Sequence, residues 1–433
     1  MDQLTVAGGQ VLMPDGSIER ADVVVDTDAG VISAIETDPE EAAPVGDRLD
    51  ATDGLVIPGL VNAHCHVAMT LLRGYADDKP LHAWLEEDIF PVEAQLTADD
   101  VDVGARLGML EMIKSGTTTF CDMYFFEEEI ADVAVSSGLR ALLGYGIITL
   151  GKDEAGIDAE IEATRSFIDH CESLETDRVR AAVMPHAIRT VDPSTLSRVG
   201  TLAADLDVPL HIHMSETRDD VQAVLNRDDK RPPAVADEHG VLGPDRFIAH
   251  GVHLDDGDIE LLASAGTGVA HCPSANLKLA SGIAPIGDLL DAGVPVGIGT
   301  DGPASNNDLD MFEEMRLAAL LAKVATEDAT ALPAARAFHL ATRGGAELVG
   351  LPTGRLEAGA PADMAIVDCS APHFVPPHDL LSHLVYTAKG ADVRHTVCDG
   401  VVLMRDREVT TLDEEAIRVE ASEQAADLID RAS

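Results

Sequence analysis

Four stretches of the chain carry side chains able to hold a metal ion and move protons. In PGLVNAHCH, His64 and His66 flank Cys65. Residues two apart on a strand face the same side, so both imidazoles can meet one point while Cys65 packs away from it. Two neutral imidazoles form half a site for zinc or a similar borderline ion, although a bare HxH is also compatible with core histidines. LHIHMSE repeats the spacing with His211 and His213. His213 is nearer the loop and so better placed as a ligand, with His211 a layer deeper as a packed, hydrogen-bonded partner. Three residues on, Glu216 can overhang the ion as a proton carrier; the competing reading is a loop acid in an acidic protein. His250 ends FIAH and can act as general acid/base or orient a water, whereas His253 lies out in the loop. Asp301, after the glycine-rich VPVGIGT, can both bind an ion and accept a proton from its water.

These residues share a position: each follows a short apolar run. Eight such runs, from GLVIPGLVNAHCH through SGTTTFCDMYF, RALLGYGIITL, VRAAVMPHA, VPLHIHMSE, RFIAHGVH and GTGVAHCPSAN to VPVGIGTDG, alternate with helical stretches. Eightfold alternation predicts an α/β fold, a (β/α)₈ TIM-type barrel over residues 58–354. In such barrels chemistry sits where strands end and the following loops begin. Residues 1–57 and 355–433 share a different texture of short strands and turns. They predict a small β-rich domain assembled from both ends, closed by a terminal helix.

Composition narrows the partners. The 433 residues are 46% apolar, enough for a large core, but only 3% aromatic. Acids outnumber bases 77 to 30, for a net charge of −47 spread along the chain. That charge repels nucleic acid and anionic lipid, and fits a halophilic, salt-rich setting where ions screen self-repulsion. The six cysteines form no CxxC pair, which fits a reducing compartment. No apolar run approaches the roughly 18 residues of a membrane span, so the expectation is a cytoplasmic protein. None of the seven lysines falls in the eight strand runs, so a carbamylated lysine bridging two ions is not expected. One divalent ion is.

The ordered set of HxH, two histidines and an aspartate on strands one, five, six and eight resembles the amidohydrolase superfamily. NAHCHVAMTLLRGYADD, AWLEEDIFPVEAQL, HMSET, HCPSANLKLASGIAPI and GTDGPASNNDLDMFEEMRLAALL are similar to the 5-methylthioadenosine/S-adenosylhomocysteine deaminases, over nearly the whole chain. The resemblance implies His64, His66, His213 and Asp301 as ligands of one zinc, with Fe²⁺ as the alternative. It implies Glu216, His250 and Asp301 as catalytic groups, with Glu216 and Asp301 also touching substrate. Trp84 would pack on the nucleoside, Glu93 would bind the ribose hydroxyls and His186 the purine ring. A homocysteine carboxylate would call for arginine after the third strand, where RALLGYGIITLGKDEAG has Tyr145 instead. Arg189 is the nearest substitute, with a neighbouring subunit of a homo-oligomer as another source, and a smaller 5′-substituent gains ground. The competing functions are hydrolysis of another ring, guanine or a chlorotriazine, and a silent metal-binding scaffold.

Overall fold

The computed structural model describes residues 3–37 and 46–433. The central strands are β1 Leu60–Cys65, β2 Thr117–Tyr124, β3 Arg140–Ile147, β4 Val179–Ala181 continued by Met184–Pro185, β5 Leu210–Met214, β6 Arg246–His250, β7 Gly268–His271 and β8 Val296–Ile298. All pair in parallel, β1 to β4 in one run and β5 to β8 in another. Bridges from Val183 to Leu210 and Ala187 to His213 join β4 to β5, and one from Cys65 to Asp301 closes the ring. The result is the (β/α)₈ barrel expected from the alternating runs. Its strands read as continuous apolar runs because helices cover one face and the barrel interior fills the other.

Helix boundaries are written locally. The helix Ala98–Lys114 between β1 and β2 starts at Thr97, whose hydroxyl and Asp100 satisfy each other's backbone N–H groups. Inside the barrel, Val61, Ala63, Met123, Met184 and Phe247 pack against Leu348 and Val349 of the helix Arg343–Val349, which plugs one end. At the other end, closure is tight. A Cβ on Gly299 would lie 2.7 Å from the backbone N and O of His64, so only glycine lets the end of β8 reach β1.

A ten-stranded sheet interleaves both termini: Met364–Asp368 runs antiparallel to Gly54–Pro58, which also pairs with Gln10–Leu12. Buried Arg140 at the start of β3 ties the barrel to this sheet, with Nε 2.6 Å from Asp363 and Nη2 2.6 Å from Asp399. The final helix, Glu414–Ala432, leaves the sheet and lies on the barrel helix Ala98–Lys114 through Glu414–Lys114, Glu420–Arg106 and Arg431–Asp100 pairs. Among the described residues no helix is long and apolar enough to cross a membrane.

Candidate metal centre and active site

Five strand-end side chains converge. His64, His213, His250 and Asp301 each offer a ligand atom within 4.8 Å of the others, and all four are buried. His66 joins them: its Nε2 lies 3.2 Å from Asp301 Oδ1 and 3.3 Å from His213 Nε2. His64 Nε2 is 3.6 Å from the same aspartate oxygen. Both imidazoles of the first HxH therefore reach one point, while Cys65 packs fully buried with its Sγ 3.3 Å from Asp122.

The far side of each ring fixes its tautomer. His66 Nδ1–H donates to Met123 O at 2.6 Å, and His213 Nδ1–H donates to His186 O at 2.6 Å. His64 Nδ1–H donates to His211 Nε2 at 2.8 Å, and His211 in turn donates to Phe247 O at 3.1 Å. Each of the three site histidines thus turns its Nε2 inward, the nitrogen left for a metal. His64 Nε2 is buried with no hydrogen-bond partner, which is costly unless a cation completes it. Three imidazoles and a carboxylate are a donor set for one zinc-like ion. No lysine joins them.

Electrostatics hold two of the three rings neutral and charge the third. Burial lowers His64 to about 4 and His213 well below the usual range, so both are neutral. Burial works against charge on His66 as well, yet the Asp301 carboxylate overrides it and holds this ring up to about 9. Asp301, despite the upward push of burial, is held well below the ordinary carboxylate range by His64 and His66. It also accepts from Gly302 N at 2.8 Å and Ser305 Oγ at 2.9 Å. Ser215, His250 and Asp301, three residues ending strands, have φ of +55°, +72° and +62°. Such conformations cost roughly 1–3 kcal/mol each in ordinary residues and cluster at functional sites.

His66, His213, His250 and Asp301 line a pocket open to solvent. Glu216 stands over them, 8% exposed, with Oε2 3.6 Å from His250 Nε2. Burial pushes its carboxyl up to about 7. His250 Nδ1 meets Asn276 Oδ1 at 2.9 Å, which leaves Nε2 free to accept a proton. Trp84, Glu93, His186 and Arg189 all line the same pocket. Trp84 and Glu93 come from a helical stretch, Leu81–Glu93, that includes a π-helical turn, Leu85–Ile89. Burial raises Glu93 to about 7 against the hydrogen bond from Tyr124, and lowers His186 to about 4. His186 also bonds Thr190 at 2.9 Å. Arg189 sits at the rim, bonded to His82, with Glu86 at 3.8 Å and Asp220 at 3.9 Å. Tyr145 turns elsewhere, its hydroxyl donating to Glu128 at 3.2 Å.

The residues read from the sequence are thus brought together. Those not picked out are the supports: Tyr124, Asn276, Ser281 and Ser305. Asn276 and Ser281 fall within HCPSANLKLASG and Ser305 within GTDGPASNN, but single polar residues in a loop carry no periodicity or spacing that marks them.

Comparison with known proteins agrees with this geometry. The chain is 55% identical over 432 residues, all of both chains, to the 5-methylthioadenosine/S-adenosylhomocysteine deaminase of Haloarcula marismortui. It is 45% identical over 434 residues to the 5′-deoxyadenosine deaminase of Methanosarcina mazei, covering 100% of this chain and 99% of the relative. The crystal structure of an adenosine deaminase from Xanthomonas campestris with bound zinc superposes with a TM-score of 0.94 at 37% identity, over 99% of this chain and 98% of that one. The model of the amidohydrolase family matches residues 55–403, and with relatives alike from end to end the chain belongs to that family.

Proposed function

We propose that the protein is a metal-dependent hydrolase that deaminates 5′-substituted adenosines, such as 5′-methylthioadenosine, S-adenosylhomocysteine or 5′-deoxyadenosine, to the inosine analogues and ammonia. One observation carries the reading. A carboxyl raised to about 7, Glu216, faces His250 directly above a buried His/Asp donor set. Near neutrality such a group holds a proton it can give away, as protonating a ring nitrogen requires.

His64, His66, His213 and Asp301 would hold one divalent ion, zinc by the chemistry of the donors and the zinc-bound relative. When bound, that ion supplies Lewis acidity that makes water a nucleophile at neutral pH. The remaining work falls to the chain. Glu216 gives its proton to N1 of the adenine, so the C6=N1 π pair can move onto N1 as the nucleophile bonds to C6. His250 and Asp301 take and steer the proton of the attacking water. A proton delivered to the amino group lets ammonia leave. Glu93 accepts hydrogen bonds from both ribose hydroxyls, as one carboxyl can. Trp84 walls the nucleoside, and neutral His186 contacts the ring. Arg189 lies at the rim, where a 5′-substituent would emerge.

The shared sheet of both termini supports dividing the chain at 57/58 and 354/355. The dispersed charge of −47 supports a salt-rich cytoplasm as its setting. A panel of 5′-substituted adenosines, followed by the absorbance change on conversion to inosine analogues at high salt, tests the function. Turnover of the nucleosides is expected; turnover of free bases or chlorotriazines with none of adenosines would overturn it.

A further inference from the structure

Glu216 must keep its proton on one particular oxygen and aim it at the substrate, and a single loop arranges this. Oε2 faces His250 Nε2 at 3.6 Å, while Oε1 lies 3.3 Å from Ser281 Oγ. A serine hydroxyl donating to Oε1 makes that oxygen the acceptor and leaves the acid proton on Oε2. Ser281 is itself only 7% exposed, which shields the bond from bulk water.

Ser281 is held as firmly as the group it serves. Its carbonyl accepts from His253 Nε2 at 2.7 Å, and its N–H donates to Asn276 O at 2.8 Å. The His253 N–H donates to Ser215 O at 2.8 Å, tying the loop after β6 to the residue preceding Glu216. Gly282, at φ +134°, allows the approach: a Cβ there would lie 2.9 Å from Val252 Cγ1. The other end of the same segment, Asn276, fixes the His250 ring at 2.9 Å.

We infer that Ser281, locked by His253, is a positioning residue that assigns the transferable proton of Glu216 to Oε2 and holds it towards the substrate ring. The inference rests on the deaminase reading with Glu216 as proton carrier. In the step it serves, the Glu216 Oε2–H bond breaks and an N1–H bond forms as water oxygen adds to C6. Ser281 exchanges no proton with substrate.

The test uses zinc-loaded enzyme and 5′-methylthioadenosine, with metal content measured for every variant. Ser281→Ala is expected to lower kcat about tenfold, the scale of one lost hydrogen bond, with KM within about twofold and zinc unchanged. Ser281→Thr, which keeps the hydroxyl, restores most of the rate. His253→Ala lowers kcat by a smaller factor with the same unchanged KM, and decides the matter if Ser281→Ala does not fold. In the Glu216→Gln background, Ser281→Ala has no further effect, because its target proton is gone. Wild-type kcat in Ser281→Ala and His253→Ala, or an additive loss in the double variant, would overturn the assignment. Full activity in Glu216→Gln would instead remove the proton-carrier reading on which it rests.

Discussion

Replacing His211 with phenylalanine should weaken metal binding without touching a ligand. His211 is fully buried and stacks on Phe247 with centroids 4.1 Å apart and planes at 21°. Phenylalanine keeps that stacking and much of the volume. It deletes two hydrogen bonds, the one accepted from His64 at 2.8 Å and the one donated to Phe247 O at 3.1 Å. A ligating His64 must keep its Nδ1 proton, because its Nε2 faces the ion. In the variant that proton has no acceptor, and a stranded buried donor costs about 1–3 kcal/mol. The metal-free protein can turn or re-protonate the ring, so most of the cost falls on the loaded state. At 1.4 kcal/mol per tenfold, Kd should rise roughly 5- to 150-fold. Loss of such outer partners commonly costs 10- to 100-fold. Competition with a chromophoric zinc chelator measures this directly, with thermal melting to confirm folding. His211→Gln, whose amide oxygen can accept from His64, should lose only a few-fold. A His211→Phe protein that binds zinc within twofold of wild type would refute the orienting role.

Three further outcomes follow from the same geometry. With Glu216 as the proposed acid and its carboxyl raised to about 7 by burial, the active form is populated below that pH and lost above it. The kcat profile should fall on the alkaline side near pH 7, and a flat profile from 6 to 9 counts against the role. Glu93→Gln should raise KM for 5′-methylthioadenosine at least about tenfold while kcat changes little, since a neutral amide is a poorer double acceptor. A 2′,3′-dideoxy analogue should not distinguish the two proteins, and a variant effect that persists with it would place Glu93 elsewhere. Arg140→Met strands buried Asp363 between barrel and sheet, and breaking such a pair costs about 3–5 kcal/mol. Urea unfolding should show that loss; a change below about 1 kcal/mol would mean Asp363 is satisfied without its partner.

Much of the site was legible because barrel strands obey two simple rules. Their apolar runs announce themselves as continuous stretches, and whatever follows them lies at the mouth. That is why His64, His66, His213 and Asp301 could be named as candidate donors before any contact was known. His211 was also placed correctly as a deeper partner, from the strand period alone. The supports were less visible. Ser281 lies 65 residues from Glu216 and His211 lies 147 from His64, and no local pattern links such pairs. Arg189 shows the same limit: its place at the rim depends on His82 and Glu86 of one helical stretch and on Asp220 far along the chain.

By itself, then, the sequence determined the eight apolar runs, the types of the metal donors and the two-ended small domain. These follow from hydropathy, spacing and ligand chemistry, which act within a few residues. Only the tertiary structure decided which ring nitrogen faces the ion, which oxygen of Glu216 is free to carry a proton, and which carboxyls are pushed to about 7. Tautomers, hydrogen-bond roles and desolvation are set by atoms brought close when the chain closes on itself. The metal donors could be read from the strand ends; the direction of their lone pairs had to wait for Met123, His186 and His211 to come within reach.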